Sequence, residues 1–182
     1  MDIASRPYFI RSARLGFSHW TPADLPLAFS LWGDPQITRF VGGPFSREQV
    51  SRRVDKEIAT LQSHRAQYWP IFLLSNGNFV GAAGLRPYKL EDRIFALGFY
   101  LLREYWRQGL AEESARAVIE YAFASLNATR LFAGHHPENS ASRALLTKLG
   151  FVFSHEELYP PTGINHPGYF LQRTQTAPRE KI

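Results

Sequence analysis

The sequence predicts one mixed α/β domain of the α+β kind, its strands and helices packed around a single core. Three observations predict it. The chain has 182 residues, 45% of them hydrophobic, enough to bury about 70% of the unfolded surface in one core and too few for a large second domain. Asn76-Gly77 joins two apolar, β-rich runs and is a strong hairpin signal. A stripe at helical period after Gly109 then interrupts the strand-like segments.

Each element has its own local signal. Leu15, Phe17 and His19 alternate with small or polar residues, as in a first strand. Thr21-Pro22-Ala23-Asp24 reads as a helix start, with a Thr cap, Pro in the first turn and a carboxylate three residues after the cap. Leu25, Ala28, Leu31 and Trp32 form that helix's apolar side, and Asp34-Pro35 stops it. Ser46 and Gln49 make a second capping box, after which Val50, Val54, Ile58 and Leu61 mark a helix to about His64. Tyr68 to Leu74 and Phe79 to Leu85 are the hairpin strands, and Ile94 to Leu102 is a fourth, reached through the polar turn Lys89 to Arg93. Leu110, Ala111, Ser114, Ala115, Val118, Ile119, Ala122 and Phe123 give a helix ending near Asn127. Arg130 to Gly134 is a fifth strand, and Asn139 caps a helix to Leu149 with Gly150 behind it. Phe151 to Leu158 and Gly168 to Arg173 close as strands around a loop of Pro160, Pro161, Gly163 and Pro167. Residues 1–173 read as one domain and 174–182 as a loose polar tail.

Composition narrows the function. The chain has no Cys, which removes thiol nucleophiles, thiolate metal sites and disulfides together. The N-terminus lacks an apolar run of about 7 to 15 residues, and no window approaches the roughly 18 of a membrane span, so a cytoplasmic protein is expected. The formal charge of +5 and the pI near 9.7 favour an anionic ligand. The basic residues are scattered, however, and the pair Arg52-Arg53 reads as a solvated helix face, which argues against nucleic acid. His135-His136 point to opposite sides of a strand end and do not share a metal; no metal site is expected.

The junction from Leu101 to Glu113 is the chemically distinctive segment. A strand ends, a short basic turn follows, and a helix begins at Gly109, so helical N–H groups without partners converge under the positive end of the dipole. Arg103 and Arg107 add charge, Gly109 permits close approach, and Ala111 keeps the next turn small. Gly109 as an ordinary turn residue explains the same feature equally well.

Trp106-Arg107-Gln108-Gly109-Leu110-Ala111 resembles the acetyl-CoA signature of the GNAT superfamily of N-acetyltransferases, matching its Gly and final Ala. Tyr105-Trp106 before the loop is similar to the RimJ/RimL branch, the ribosomal-protein N-terminal acetyltransferase type. Asn139 to Ser142 with Lys148-Leu149-Gly150-Phe151 resembles that branch's second segment. The resemblance implies a mostly antiparallel mixed sheet of about six to seven strands, helices on both faces, and strands four and five splayed into a cofactor cleft. It implies that acetyl-CoA is the co-substrate, held by Leu101, Arg107, Gln108, Gly109, Leu110, Ala111, Asn139 and Ser142. A monomer or homodimer is expected.

The implied reaction is attack of a neutral primary amine on the thioester, with a backbone N–H near Phe99 or Tyr100 holding the oxyanion. Leu146 stands where many relatives place a Tyr, so Ser142, or water it holds, becomes the donor to the thiolate, with Tyr100 and His135 behind it. Phe95 to Phe99 lacks the carboxylate many relatives carry on this strand. Glu91, Asp92, His135 and Glu156 are therefore the candidates to take the amine's proton. Trp32, Phe40, Trp69, Tyr88 and Tyr100 are candidate walls for the acceptor, which ranges from a peptide N-terminus to a small amine. A catalytically silent CoA-binding domain and a basic ribosome- or RNA-associated module are the alternatives.

Overall fold

The computed structural model describes residues 6–173; the predicted tail at 174–182 lies outside the described residues. The elements run β1 (Ile10–Arg11), β2 (Leu15–Phe17), α1 (Leu25–Trp32), α2 (Pro35–Thr38), α3 (Arg47–His64), β3 (Tyr68–Leu73), β4 (Phe79–Lys89), β5 (Ile94–Leu101), α4 (Leu110–Ser125), β6 (Arg130–Gly134), α5 (Ser140–Lys148), β7 (Val152–Tyr159) and β8 (Ile164–Gln172). All eight strands join one sheet in the order β1-β2-β3-β4-β5-β6-β8-β7. Only β5 and β6 are parallel. The predicted strands four and five are thus β5 and β6, shifted by one because β1, two residues long, shows no periodicity of its own.

Alternation along the strands divides the core. Trp69 and Ile71 of β3 pack on one face with Leu110, Ala115, Val118 and Ala122 of α4 and Leu146 of α5. Tyr68 and Phe72 pack on the other with Ala28, Leu31 and Trp32 of α1 and Val50 and Val54 of α3. This is the period of two that sends successive side chains to opposite sides. Trp32 and Trp69, expected as possible acceptor walls, are fully buried core residues.

Most local signals operate as read. Ser46 Oγ accepts from Gln49 N–H at 3.2 Å while Gln49 Oε1 accepts from Ser46 N–H at 2.7 Å, the reciprocal cap that starts α3. Asp34-Pro35 does more than end α1. Asp34 Oδ1 accepts the N–H groups of Gln36 and Ile37 at 2.7 and 3.1 Å and so starts α2. Strand β4 outruns its predicted end at Leu85 and passes through Pro87, which lies opposite Phe95. Its other neighbour, β3, begins only at Tyr68, which pairs with Gly84, so Pro87 faces no strand that would need its missing N–H. Likewise β8 starts at Ile164, because the turn is confined to 160–163 by Thr162 and Gly163 N–H groups bonding the Tyr159 carbonyl.

Candidate active site

Strands β5 and β6 pair only at Ile94↔Arg130, Phe95↔Leu131 and Ala96↔Phe132. Beyond Ala96 they part. Leu102 N–H donates to Val80 O on β4 at 2.9 Å, so by the pleat the backbone groups of Leu97, Phe99 and Leu101 face the other way, into the gap. Of these, the Leu101 carbonyl already accepts from Trp106 Nε1 at 2.8 Å. Leu101 therefore offers only its N–H, whereas both backbone groups of Phe99 remain turned to the gap.

At the far end of β5 a turn at Arg103–Tyr105 leads into α4. Arg107 and Gly109 both take left-handed conformations, with φ of 59° and 77°. This twist turns consecutive N–H groups toward the helix entrance, and Gly109 adopts it without the strain an L side chain incurs. A Cβ at Gly109 would meet no heavy atom nearer than Arg14 Nη2 at 3.5 Å, so the conformation and the space above the loop, rather than crowding, account for glycine. Gln108 acts as a latch: its Nε2 donates to Glu104 O at 2.6 Å and its carbonyl accepts from Arg14 Nη1 at 3.0 Å. Arg14 also donates from Nε to Glu113 Oε2 at 2.6 Å. Burial opposes ionisation of Glu113, but the Ser12 hydroxyl and the Arg14 N–H and guanidinium outweigh it and hold its carboxyl below the usual range. Arg103 turns away from the loop to α2, donating to Gln36 Oε1 at 2.7 Å with Asp34 at 3.6 Å. Of the two predicted loop cations, Arg107 alone stays at the loop, and Arg14, unremarked in the sequence, buttresses it. Leu110 is buried beneath and anchors the first turn.

Across the gap, Asn139 Oδ1 accepts from Ser142 N–H at 3.1 Å and caps α5. Asn139, Ser142 and Leu146 line a cleft of about 340 Å³ together with Gly98, Phe99 and Tyr100 of β5 and Gly134 and His135 of β6. Ser142 approaches from the α4/α5 face, where Leu146 is core. Tyr100 approaches from the opposite face, packed with the second core cluster. The two hydroxyls therefore flank the gap from opposite sides and are not interchangeable.

On the Tyr100 side the wall is formed by Phe40, Tyr88, His136, Glu157, Tyr159 and His166. Glu156, the predicted carboxylate, is exposed on the other side of β7. The pairing of β7 with β8 slips by one residue between Phe153 and His155, and this bulge decides which carboxylate faces inward. Glu157 Oε2 accepts from Tyr88 OH at 2.9 Å. Burial, and the adjoining Glu157 carboxylate, push the Tyr88 hydroxyl up to about 12. Glu91 and Asp92 are exposed in a turn away from this wall.

The histidines divide by their bonds. His135 Nδ1 lies 2.8 Å from the His136 carbonyl and Nε2 lies 3.2 Å from Tyr169 OH, so both ring nitrogens are occupied and the ring is unsuited to be the free base that the sequence suggested. His136 Nδ1 accepts from Glu138 N–H at 3.2 Å and the ring lies on Phe40 at 4.9 Å. His166, stacked on Tyr159 at 4.6 Å, has its pKa lowered by burial and then by His136 and His135. Among the described residues no group of three or more His, Asp and Glu could hold a metal, and no helix is long and apolar enough to cross a membrane.

A family model described as an acetyltransferase (GNAT) domain matches residues 14–152, which include the loop, the gap and the α5 cap. The chain belongs to the GNAT acetyltransferase family. Among GNAT relatives, the uncharacterized N-acetyltransferase YoaA of Bacillus subtilis is 28% identical over 144 residues, covering 78% of this chain and 81% of YoaA. An acetyltransferase structure from Agrobacterium tumefaciens superposes with a TM-score of 0.78 at 24% identity, over 93% of this chain and 96% of that one. RimL, a ribosomal-protein alpha-N-acetyltransferase solved in complex with coenzyme A, gives 0.78 at 16% identity over 91% and 98%. These likenesses establish a GNAT fold, with its mostly antiparallel open sheet, for this enzyme.

Proposed function

We propose that the protein transfers an acetyl group from acetyl-CoA to a primary amine in a ternary complex, using the β5–β6 gap as the meeting point of the two substrates. The observation that carries the reading is the convergence of three features on that gap: the left-handed loop at Arg107 and Gly109, the unpaired inner edge of β5 beyond Ala96, and Asn139 with Ser142 on the facing helix. The fit is chemical as well as geometric. N–H groups at the entrance to α4 suit a pyrophosphate, and the open strand edge suits an amide-bearing pantetheine arm.

In this reading Phe99 N–H faces the carbonyl oxygen and stabilises its developing negative charge. Leu101 N–H and the Phe99 carbonyl hold the arm beside β5. Glu157, kept in place by the Tyr88 hydroxyl, takes the proton that the amine must lose before its lone pair can attack. Ser142, or a water it positions, returns a proton to the departing sulfur. That assistance is modest in scale, because a thiol with a pKa of about 8.5 already leaves tolerably near neutral pH. His135, tied at both nitrogens, orders the β6 end.

The test is acetyl-CoA consumption measured against a panel of peptides and small amines, with Glu157→Gln and Glu156→Gln run beside the parent. Transfer should appear with at least one acceptor, and Glu157→Gln should lower kcat by about 100-fold or more while Glu156→Gln leaves it near the parent value. CoA binding without any transfer would sink the reading.

A further inference from the structure

The panel just described leaves the acceptor class open, and the wall of the cleft narrows it; the inference rests on the acetyl-transfer reading. Helix α3 and strand β4 bring Arg53 and Arg86 to a single carboxylate, that of Glu57, which is 1% exposed. Glu57 Oε1 pairs with Arg86 Nη2 and lies 3.9 Å from Arg53 Nε. Its Oε2 accepts from Tyr68 N–H at 2.8 Å. Among the described residues no second carboxylate pairs with either guanidinium, so two cations share one anion and one positive charge is left over.

That charge borders the acceptor half of the cleft. Arg53 lies 4.0 Å over the Trp32 ring and 5.1 Å from the Tyr100 ring, with Nε and Nη2 buried and lacking a hydrogen-bond acceptor. Arg86 lies 4.3 Å over Tyr68, and its side chain is 34% exposed where it lines the cleft. Glu57 engages only part of its five-donor fork. Glu157, the cleft's carboxylate, stands on β7, bonded by Tyr88 and 3.4 Å from His155 Nε2. The lining of the cleft therefore carries both a guanidinium, Arg86, and a carboxylate, Glu157, together with Tyr68, Tyr88, Tyr100 and Tyr159.

The same half is also roofed. The turn of the β7–β8 hairpin bears on the loop after α2, where a Cβ at Gly42 would come within 2.5 Å of Pro161 O. The whole cleft, including the side lined by Phe99, Asn139 and Ser142, measures about 340 Å³, so this half is smaller still and suits a small molecule better than an extended polypeptide.

We propose that the acceptor is a small amine that also carries a carboxylate, an amino acid or an amino-acid-like molecule. Its carboxylate sits on the free donors of Arg86, in the field of Arg53. Its amine points to Glu157 and the gap. The leftover charge thereby gains its counterion, and the substrate's carboxylate and amine each meet a lining group of opposite charge.

The experiment compares the protein amino acids, as a mixture and singly, with their C-terminal amides, spermidine and a ten-residue peptide, at equal concentrations of free-base amine. Amino acids should exceed their amides in kcat/KM by about 10- to 100-fold, the scale of a charge-assisted contact. Arg86→Gln should bring that ratio toward one, and Arg86→Lys should restore part of it. Comparison within the parent enzyme keeps the test intact if a variant fails to fold. Amides, spermidine or the peptide reacting as well as the amino acids would overturn the proposal and leave acetyl transfer standing. Absence of transfer to every amine by a protein that binds CoA would remove both.

Discussion

Replacing Gly109 by Ala separates the cost of folding from the cost of binding. The residue sits at φ 77°, where an L side chain costs roughly 1 to 2 kcal/mol. The new methyl would meet only Arg14 Nη2, at 3.5 Å, an ordinary contact. Steric clash therefore adds nothing, and the strain is the whole folding penalty. For a domain of this size that corresponds to a Tm lower by about 2 to 8 °C. Binding should suffer more, because the methyl enters the space over the helix entrance and the loop must either relax from its left-handed twist or hold it under strain. A loss of affinity for CoA of about 10- to 100-fold is expected, and Gly109→Asp, which adds an anion beside the phosphates, should abolish binding. Calorimetric titration with CoA, together with thermal unfolding of the same samples, measures both quantities. A Gly109→Ala protein with the lowered Tm and an unchanged Kd would show that the loop does not hold the pyrophosphate.

Asn139→Ala removes the α5 cap and should lower stability by about 1 kcal/mol and raise the KM for acetyl-CoA; Ser142→Ala should instead lower kcat by about 10- to 100-fold with KM nearly unchanged, both read by steady-state kinetics. Glu57→Ala leaves two guanidinium groups without their buried carboxylate and should cost about 3 to 5 kcal/mol by denaturant unfolding, the range for breaking a buried pair from one side; a loss below about 1 kcal/mol would mean that the aromatic stacking alone holds the arginines. His166 has a folded pKa below 6.5, so the unfolded chain takes up its proton first and the stability due to the neutral ring is present above the ordinary His value and lost as pH falls through the folded one. His166→Gln should accordingly reduce the fall in Tm between pH 7.5 and pH 5.5, and an unaltered fall would assign that pH dependence to other groups.

The amino-acid sequence by itself determined the longer elements in their order, the caps of α3 and α5 and the glycine turn into α4, because each depends on residues close in the chain. Ser46 and Gln49 find each other across a single turn; Gly109 adopts a left-handed conformation that its lack of a side chain permits; Asn139 caps the helix that it precedes. Only the tertiary structure decided the wall of the cleft around Tyr88 and Glu157. A one-residue bulge in β7 turns Glu157 inward and Glu156 outward, and nothing in the alternation of that strand marks where the extra residue falls. Arg14 meets Gln108 and Glu113 across a separation of more than ninety residues. Arg53, read as part of a solvated face, is folded over Trp32 and is largely buried because α1 packs against α3. Glu57 stands in the apolar stripe of α3, three residues after Val54; its position was visible, but its meaning depended on Arg86 arriving from β4. Local rules act through the chain, whereas the charges and phase of a cleft are set by strands and helices that meet only when the sheet closes, and that is why the glycine turn into α4 was legible and the charged wall around Glu157 was not.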